Sequence, residues 1–513
     1  MPNKSTDPLF QLVKSLEKSE KRNFKLFVKK GSGEDLKIVQ LFDALDKMEN
    51  YDEALLLKRT PSLAKQQLSN MKAYLYKKIL TSLRQLKDKD NLLLQLSEYM
   101  EHAHILYNKG LYLQSLKILD KMKELAISSN QTTYLMQAIF FEKKIESLHI
   151  TRSIQGKAEE LRKTSNQLIE KLDLITNLSN LSLNLYSLYI TNGHARNRED
   201  ANAVKKYFQS QLPENASEIK GFYEQLYLYQ SYCWYSFILQ DFLMYYRYSQ
   251  KWVDLFETEP QMIVLESGNY IKGMHNLLSA HFDLQNYPRF IETLKKFEEF
   301  AASDIVKLSD NNRIQTFVYL SISKINKHFM EGSFKEGLAL VPSLEKELHE
   351  FEIYLDRHRV LVFYYKIASL YFGSGDYSTS IDYLQKIINW KVDLRTDLQC
   401  YSRLLHLIAH YELGNFELIE YLAKSVYRFM ARMQNLSAVE EHIFEFLRKA
   451  LRTRPNDIRN EFIQLLNQLK QYERNQMETR AFNYLDVISW LESKISGIPV
   501  HEVVRRKFLE RKR

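Results

Sequence analysis

The chain has 513 residues, of which 45% are hydrophobic and 26% are charged, so it can bury a large core and global disorder is excluded. With only 14 glycines and 9 prolines it has few tight turns, which argues against a many-stranded β architecture and favours long helices. The net charge of +9 lies mainly in residues 1–90 and 501–513.

Residues 1–90 are predicted to form a basic helical module. Asp7 and Pro8 are typical of a helix start, because Asp caps free backbone amides and Pro suits the first turn. Further helices are predicted over residues 19–30, 36–48 and 62–86. The charged segment 87–91 lacks apolar residues and is the predicted boundary of the module.

The stretch 370–389, LYFGSGDYSTSIDYLQKIIN, predicts two helices joined by a short turn. The apolar stripes on either side of the turn repeat at helical spacing. Gly375 supplies the free backbone that the turn requires. Ala368 is small enough to let the two helices approach closely, and Tyr377 is expected to fill the gap between them.

Similar turns recur along the chain. Copies that contain a glycine lie around residues 110, 332 and 414, copies without one lie around Asp241 and Asn286, and weaker hairpins are expected around Gly156 and Gly193. Asn and Asp tolerate the geometry of a bend, which accounts for the copies that lack glycine.

The combination of a small residue, an aromatic, a Gly-Asp-Tyr turn and a second small residue resembles the tetratricopeptide repeat. Ser380 stands where that family usually has Ala, Val392 stands near its usual Pro, and the turns lie roughly 37 to 47 residues apart instead of 34. The resemblance implies an all-α fold, a right-handed α-solenoid of tetratricopeptide-like helical hairpins with a helical N-terminal module and C-terminal capping helices. An irregular helical bundle is the alternative.

The predicted domains are the module 1–90, a repeat array 91–455 and capping helices with a basic tail 456–513. Two helices are expected over residues 462–469 and 481–495. We expect them to cap the last hairpin, because terminal units of a repeat array need a polar outer face. The basic tail after Pro499 is predicted to be a frayed helix.

The first helix of each hairpin carries aromatic residues ahead of its turn. The resemblance implies that this part of the helix faces a concave groove, which would suit an extended peptide or a partner helix. The candidate protein-binding residues are Trp234, Phe237, His275, Phe282, Tyr319, Asn326, Phe329, Tyr365, Phe372, Tyr401 and Tyr411. Packing between hairpins is the competing and commoner use of such rings. The Lys and Asn set with which the family holds a C-terminal carboxylate is not found.

No motif of a nucleophilic, phosphate-binding or dinucleotide-binding site occurs, so we expect no catalytic residue, no cofactor and no metal. His406 and His410 have the i, i+4 spacing of metal ligands, but no third ligand can be named, and packed or surface histidines are the simpler explanation. The only two cysteines, Cys233 and Cys400, favour a reducing compartment. With no signal peptide and no long apolar window, we expect a cytoplasmic protein without membrane contact.

The leading hypothesis is therefore a non-enzymatic scaffold or adaptor that binds another protein or peptide in the concave face of a helical solenoid. The alternative is a nucleic-acid-associated transcription regulator whose basic module contacts phosphate. The candidate phosphate-contacting residues are Lys18, Lys21, Arg22, Lys25 and Lys29. A charged, solvated outer face explains the same residues without nucleic acid. The sequence defines neither the identity of the partner nor the oligomeric state.

Overall fold

The computed structural model describes residues 7–28, 33–87, 91–148, 156–195, 197–307, 309–390, 396–433, 436–450, 457–472, 482 and 484–511. Every regular element in these residues is a helix, and none of them forms a strand. The predicted all-α fold class is confirmed. The chain divides into two compact units, Met1–Ser165 and Asn166–Arg513. The segments predicted from the sequence, 1–90, 91–455 and 456–513, are not these units and stay predictions.

The helices of the first unit are α1 (Pro8–Ser15), α2 (Lys18–Val28), α3 (Gly33–Asp46), α4 (Glu53–Arg59), α5 (Lys65–Lys87), α6 (Leu92–Asn108), α7 (Tyr112–Ser128) and α8 (Thr132–Leu148). Helix α9 (Lys157–Asn192) begins in the first unit and ends in the second. At the start of α1 the Asp7 carboxylate accepts a hydrogen bond from the Phe10 amide at 3.0 Å, so the predicted cap is confirmed.

The helices that follow in the second unit are α10 (Arg198–Gln211), α11 (Phe222–Ile238), α12 (Phe242–Thr258), α13 (Gln261–Leu265), α14 (Ser267–Asp283), α15 (Tyr287–Ala301), α16 (Asp304–Lys307), α17 (Asp310–Glu331), α18 (Phe334–Gly337) and α19 (Val341–Glu350). The remaining helices are α20 (Arg357–Ser374), α21 (Tyr377–Ile388), α22 (Thr396–Glu412), α23 (Phe416–Arg432), α24 (Ala438–Ala450), α25 (Ile458–Lys470), α26 (Val487–Ser496) and α27 (Val500–Arg511).

Seven helix–turn–helix joints share one backbone geometry. In each, a residue with positive φ is followed by a residue whose amide donates to the carbonyl five positions earlier, at 2.8–3.1 Å. This hydrogen bond ends the first helix in the manner of a Schellman motif. The residues with positive φ are Gly110, Asn130, Gln240, Gln285, Gly332, Gly375 and Gly414. The turns expected near residues 110, 241, 286, 332, 375 and 414 are thus present, and the one at Asn130 is an addition.

The two predicted turns without glycine differ in detail from the prediction. The left-handed residues are Gln240 and Gln285, not the Asp and Asn that follow them. Asp241 instead caps α12, where its carboxylate accepts from the Met244 amide at 3.0 Å. Short polar side chains are preferred at such caps, and this preference explains why Asp and Asn recur one position after the bend.

In two hairpins a buried serine on the second helix contacts the backbone of the first helix. The Ser115 hydroxyl donates to the Ala103 carbonyl at 2.8 Å, and the Ser380 hydroxyl donates to the Ala368 carbonyl at 2.9 Å. Both serines are fully buried. A small side chain is needed there, and the hydrogen bond satisfies its only polar group, so serine replaces alanine without an unpaired hydroxyl.

In the second unit the hairpins pack neighbour to neighbour. The first helices α14, α17, α20 and α22 each contact the next, and the second helices pack between them. One apolar core extends continuously from α11 to α27. Residues on the first helices of successive hairpins therefore lie side by side, although they are some 40 residues apart in sequence.

The C-terminal helices only partly follow the prediction. Helix α25 packs against α24 and α26 packs against α25, but α27 lies against α17 and α20. Phe508 is buried, with its ring 4.7 Å from that of Tyr287, and Arg511 donates to the Gln285 side chain at 2.7 Å. The tail expected to fray is thus a docked helix as far as Arg511, and it contacts hairpins far from the last one.

Candidate functional site

The structure separates the eleven candidate groove residues into four groups. Five of them, Trp234, Phe237, His275, Phe282 and Phe329, are half-buried, and the other six are buried. The groups differ in what covers each side chain. Only the group of Trp234, His275 and Tyr319 combines an accessible ring with a cation, Lys272, that forms no ion pair among the described residues.

The residues 484–490 of the chain itself cover three candidates. The Tyr365 hydroxyl donates to the Tyr484 carbonyl at 2.9 Å, and the Tyr401 ring stacks on the Tyr484 ring at 4.3 Å. The Tyr411 ring lies 6.2 Å from the ring of Trp490. These three side chains serve intramolecular packing in this structure.

Phe237 and Phe372 pack within the protein. Phe237 contacts the segment before its hairpin, with its ring 4.8 Å from that of His194 and 5.2 Å from that of Tyr189, and it also contacts its own hairpin. The Phe237 ring lies 5.0 Å from that of Tyr245, and the Phe372 ring lies 5.2 Å from that of Tyr377. Phe237 thus takes part in packing against the preceding helix, as the alternative expects, whereas Phe372 packs within one hairpin.

Phe282, Asn326 and Phe329 surround the ammonium group of Lys366. The ammonium donates to the Asn326 side chain at 2.7 Å and lies 5.9 Å and 5.3 Å from the Phe282 and Phe329 ring centres. Burial lowers the pKa of Lys366 to about 8, while the charge of Asp283 acts in the opposite direction. The rings of Phe282 and Phe329 and the amide of Asn326 thus stabilise the poorly hydrated ammonium of Lys366.

The remaining candidates, Trp234, His275 and Tyr319, meet three residues that the sequence analysis did not select. We call this set the cation–aromatic cluster, and its members are Tyr186, Trp234, Lys272, His275, Tyr319 and Arg359. They are supplied by α9, α11, α14, α17 and α20 of the second unit.

Lys272 is the centre of the cation–aromatic cluster. Its ammonium lies 5.6, 5.3 and 5.5 Å from the ring centres of Tyr186, Trp234 and Tyr319. The same ammonium is 3.5 Å from the Tyr319 hydroxyl. The guanidinium of Arg359 lies 6.0 Å from the Tyr319 ring centre, so both cations border one aromatic side chain.

The two titratable rings of the cluster respond to the same positive potential. Burial, helped by the charges of Lys272, Lys366 and Arg359, lowers the pKa of His275 to about 3. Burial alone would raise the pKa of Tyr319, but the charges of Lys272 and Arg359 outweigh it and the pKa is lowered. The lowered pKa of Tyr319 indicates excess positive charge, and the lowered pKa of His275 reflects burial first and the same cations second.

Lys272 and Tyr319 occupy the same position relative to the turn that follows each of them. Aligning the chain on its turns would therefore have placed Lys272 beside the selected aromatic residues. The candidate residues are rings and one asparagine, so they do not include the cations that lie between the rings.

The candidate phosphate-contacting residues lie on α2, except Lys29, which falls outside the described residues. Lys21 and Lys25 form ion pairs with Asp46 and Asp43 at 2.7 Å and 2.6 Å. Lys18 and Arg22 are exposed. Part of the basic stripe is thus already neutralised by α3.

In the second unit His406 and both thiols are buried, and His410 is half-buried. The rings of His406 and His410 lie 4.5 Å apart, and burial lowers the pKa of His406 to about 4, helped by the charges of His410 and Arg403. Burial raises the pKa of Cys233 to about 12, and Cys400 is buried as well. Within the described part of the chain no three His, Cys, Asp or Glu side chains are grouped to hold a metal ion.

None of the helices in the described ranges is both long enough and apolar enough to cross a membrane. Comparison with models of known protein families gives no match, and comparison with curated proteins gives none either.

Proposed function

We propose that the chain is a tetratricopeptide-like helical repeat protein that acts as a non-enzymatic scaffold or adaptor and binds another polypeptide through the cation–aromatic cluster. The proposal includes the right-handed α-solenoid of that family for the hairpins of the second unit. It also includes the cytoplasmic location expected from the sequence.

Support for the repeat comes from the joints between helices. The same hydrogen bond ends the first helix at all seven turns, and the first helices of successive hairpins contact one another. Schellman ends are common in helical proteins, so the contacts between successive first helices are the stronger support. Stacked hairpins of this kind expose a row of first-helix side chains, which repeat proteins use for binding.

The row of contacts from Tyr186 through Trp234, Lys272 and Tyr319 to Arg359 is the observation that carries the proposed function. It crosses five helices without interruption. Tyr186 is 38% exposed and Trp234 is half-buried, and neither is covered by residues 484–511. Tyrosine, tryptophan and arginine are the residues that most often dominate binding energy at protein interfaces.

The test is a selection of random linear peptides on the immobilised full-length protein. The double variant Tyr186→Ala/Trp234→Ala should lose retention of the selected peptides, because it removes the two accessible rings of the cluster. Selection of no peptide, or equal retention by the variant, contradicts the proposed function.

The matched control removes an aromatic residue that is more exposed but lies elsewhere. Tyr421 on α23 is 73% exposed and far along the chain from the cluster. The variant Tyr421→Ala should retain the selected peptides as the unaltered protein does. Circular dichroism of all variants checks that the helices are intact.

The nucleic-acid alternative stays a prediction, since no observation in the structure favours it. Salt-sensitive retention of the full chain on DNA or RNA, lost in the variant Lys18→Gln/Arg22→Gln, would support it.

A further inference from the structure

The charge of Lys272 is not compensated within the described part of the chain. Its ammonium is surrounded by three aromatic rings and a phenol oxygen, and no carboxylate among the described residues forms an ion pair with it. Aromatic faces attract a cation only weakly compared with a carboxylate at the same place. The cation–aromatic cluster therefore holds a partly desolvated positive charge that lacks its strongest partner.

Arg359 is only partly neutralised by its neighbour. Its Nε lies 3.4 Å from the Asp356 carboxylate, and the Asp356 side chain is 54% exposed. The same carboxylate accepts a hydrogen bond from the Arg359 amide at 2.9 Å as the cap of α20. Arg359 thus keeps guanidinium hydrogen-bond donors for another acceptor, next to the ring of Tyr319 that also borders Lys272.

His275 adds an unpaired polar atom to the same place. Its ring stacks on Tyr319 at 4.3 Å, and its Nδ1 is buried without a hydrogen-bond partner within the described residues. The groups whose charge acts on His275 are Lys272, Lys366 and Arg359, all of them cations. Packing of α14, α17 and α20 therefore brings three cations to one position. Asp356 and Asp283 act on Arg359 and Lys366, whereas no carboxylate among the described residues forms an ion pair with Lys272.

We propose that this position binds the carboxylate of an acidic side chain of the polypeptide ligand, between Lys272 and Arg359, with an adjacent apolar side chain against Tyr186 and Trp234. The inference rests on the proposed function and adds the chemistry of the ligand. An arginine can hold a carboxylate through two parallel hydrogen bonds, and a nearby lysine adds charge attraction.

An acidic peptide fits the cluster better than a nucleic acid does. Strong phosphate binding needs roughly six to ten basic contacts along a backbone, and here two cations are interleaved with rings. The rings provide an apolar surface beside the cations, which an acidic residue next to an apolar one would match. Charge complementarity of this kind sets the specificity and the rate of association.

The experiment starts from the peptides selected on the full-length protein. We expect them to be enriched in Asp and Glu relative to the input library. The most enriched peptide is then labelled with fluorescein, and a second version carries Asn and Gln in place of Asp and Glu. Fluorescence anisotropy should show the amide version binding about tenfold more weakly to the unaltered protein.

The variant Lys272→Gln/Arg359→Gln should bind the acidic peptide about tenfold or more weakly and should no longer distinguish it from the amide version. The control variant Arg289→Gln/Lys295→Gln removes two exposed cations from α15 and the same total charge. It should retain the preference for the acidic peptide.

Each outcome has one meaning. Selected peptides without acidic enrichment, or equal binding of the acidic and amide versions, overturn the carboxylate assignment and leave the proposed function standing. Selection of no peptide overturns both. Tighter binding of a single-stranded oligonucleotide that depends on Lys272 and Arg359 overturns the assignment in favour of a phosphate ligand.

Discussion

Replacement of Gly332 by alanine tests the contact between the turn after α17 and helix α27. A methyl group at residue 332 would lie 2.6 Å from the Arg505 amide nitrogen and 2.8 Å from the His501 carbonyl oxygen. Both are backbone atoms, so no side chain can rotate away and α27 itself has to move. Gly332 also has φ +69°, which adds strain for any residue with a Cβ.

Gly375→Ala is the matched control. Gly375 has φ +94°, and a methyl group added there meets no atom within 4 Å. Its cost is therefore the strain of the left-handed conformation alone, on the order of 1–2 kcal/mol. The difference between the two variants isolates the displacement of α27.

The size of that difference follows from what α27 buries. Val500, Val503 and Phe508 are 9%, 8% and 9% exposed, and full burial of each such side chain is worth about 1.5–3 kcal/mol before the entropy of ordering is subtracted. A shift of a few tenths of an ångström to one ångström loosens this packing without removing it. We expect Gly332→Ala to destabilise the docking of α27 by about 2 kcal/mol.

Hydrogen exchange read by mass spectrometry measures this directly. A loss of about 2 kcal/mol corresponds to roughly 30-fold faster exchange of the α27 amides, since 1.4 kcal/mol is a factor of ten. Gly375→Ala should leave exchange over residues 500–511 unchanged. Equal exchange of this segment in the two variants would refute the close contact between Gly332 and α27.

Two further predictions concern the turns and the cation–aromatic cluster. Gln285→Gly should raise the free energy of unfolding by about 1 kcal/mol in urea denaturation, because it relieves the left-handed strain at a residue with φ +54°. Gln285→Ala, which removes the amide but keeps the strain, should give no gain, and a gain there would contradict the explanation. The folded state keeps His275 neutral, with a pKa lowered to about 3 from 6.5. The unfolded chain therefore binds a proton there below pH 6.5 that the folded chain does not, and the free energy of unfolding falls as the pH falls below 6.5. His275→Phe keeps the ring stack on Tyr319, and its stability relative to the unaltered protein should improve by about 3 kcal/mol between about pH 7 and about pH 4. Parallel pH profiles for the two proteins would contradict the burial of a neutral His275.

The sequence was sufficient to predict the helical hairpins and most of their turns. The Gly375 turn, the small residues Ala368 and Ser380, and the Asp7 cap act over a few residues, and local rules describe them well. The turn at Asn130 was missed because no aromatic residue follows it. Gln285 was not recognised as the left-handed residue because glutamine rarely adopts that conformation.

The cation–aromatic cluster could be predicted only in part. Trp234, His275 and Tyr319 were selected by residue type. Lys272 and Arg359 join the cluster only through their contacts with rings on other helices. Their positions depend on how each hairpin is placed against the next, and an amphipathic pattern does not determine this. An apolar stripe shows that α27 has a packing face without showing that its partners are α17 and α20.

The return of residues 484–511 over earlier hairpins affects how the protein is made. A row of units that touch only their neighbours can fold progressively as it leaves the ribosome. Here Tyr401 acquires its contact with Tyr484 only after 83 further residues have been synthesised, and Gln285 acquires its contact with Arg511 only after the helix Val500–Arg511 has been synthesised. During that interval the rings of these hairpins lack the cover that residues 484–511 later provide.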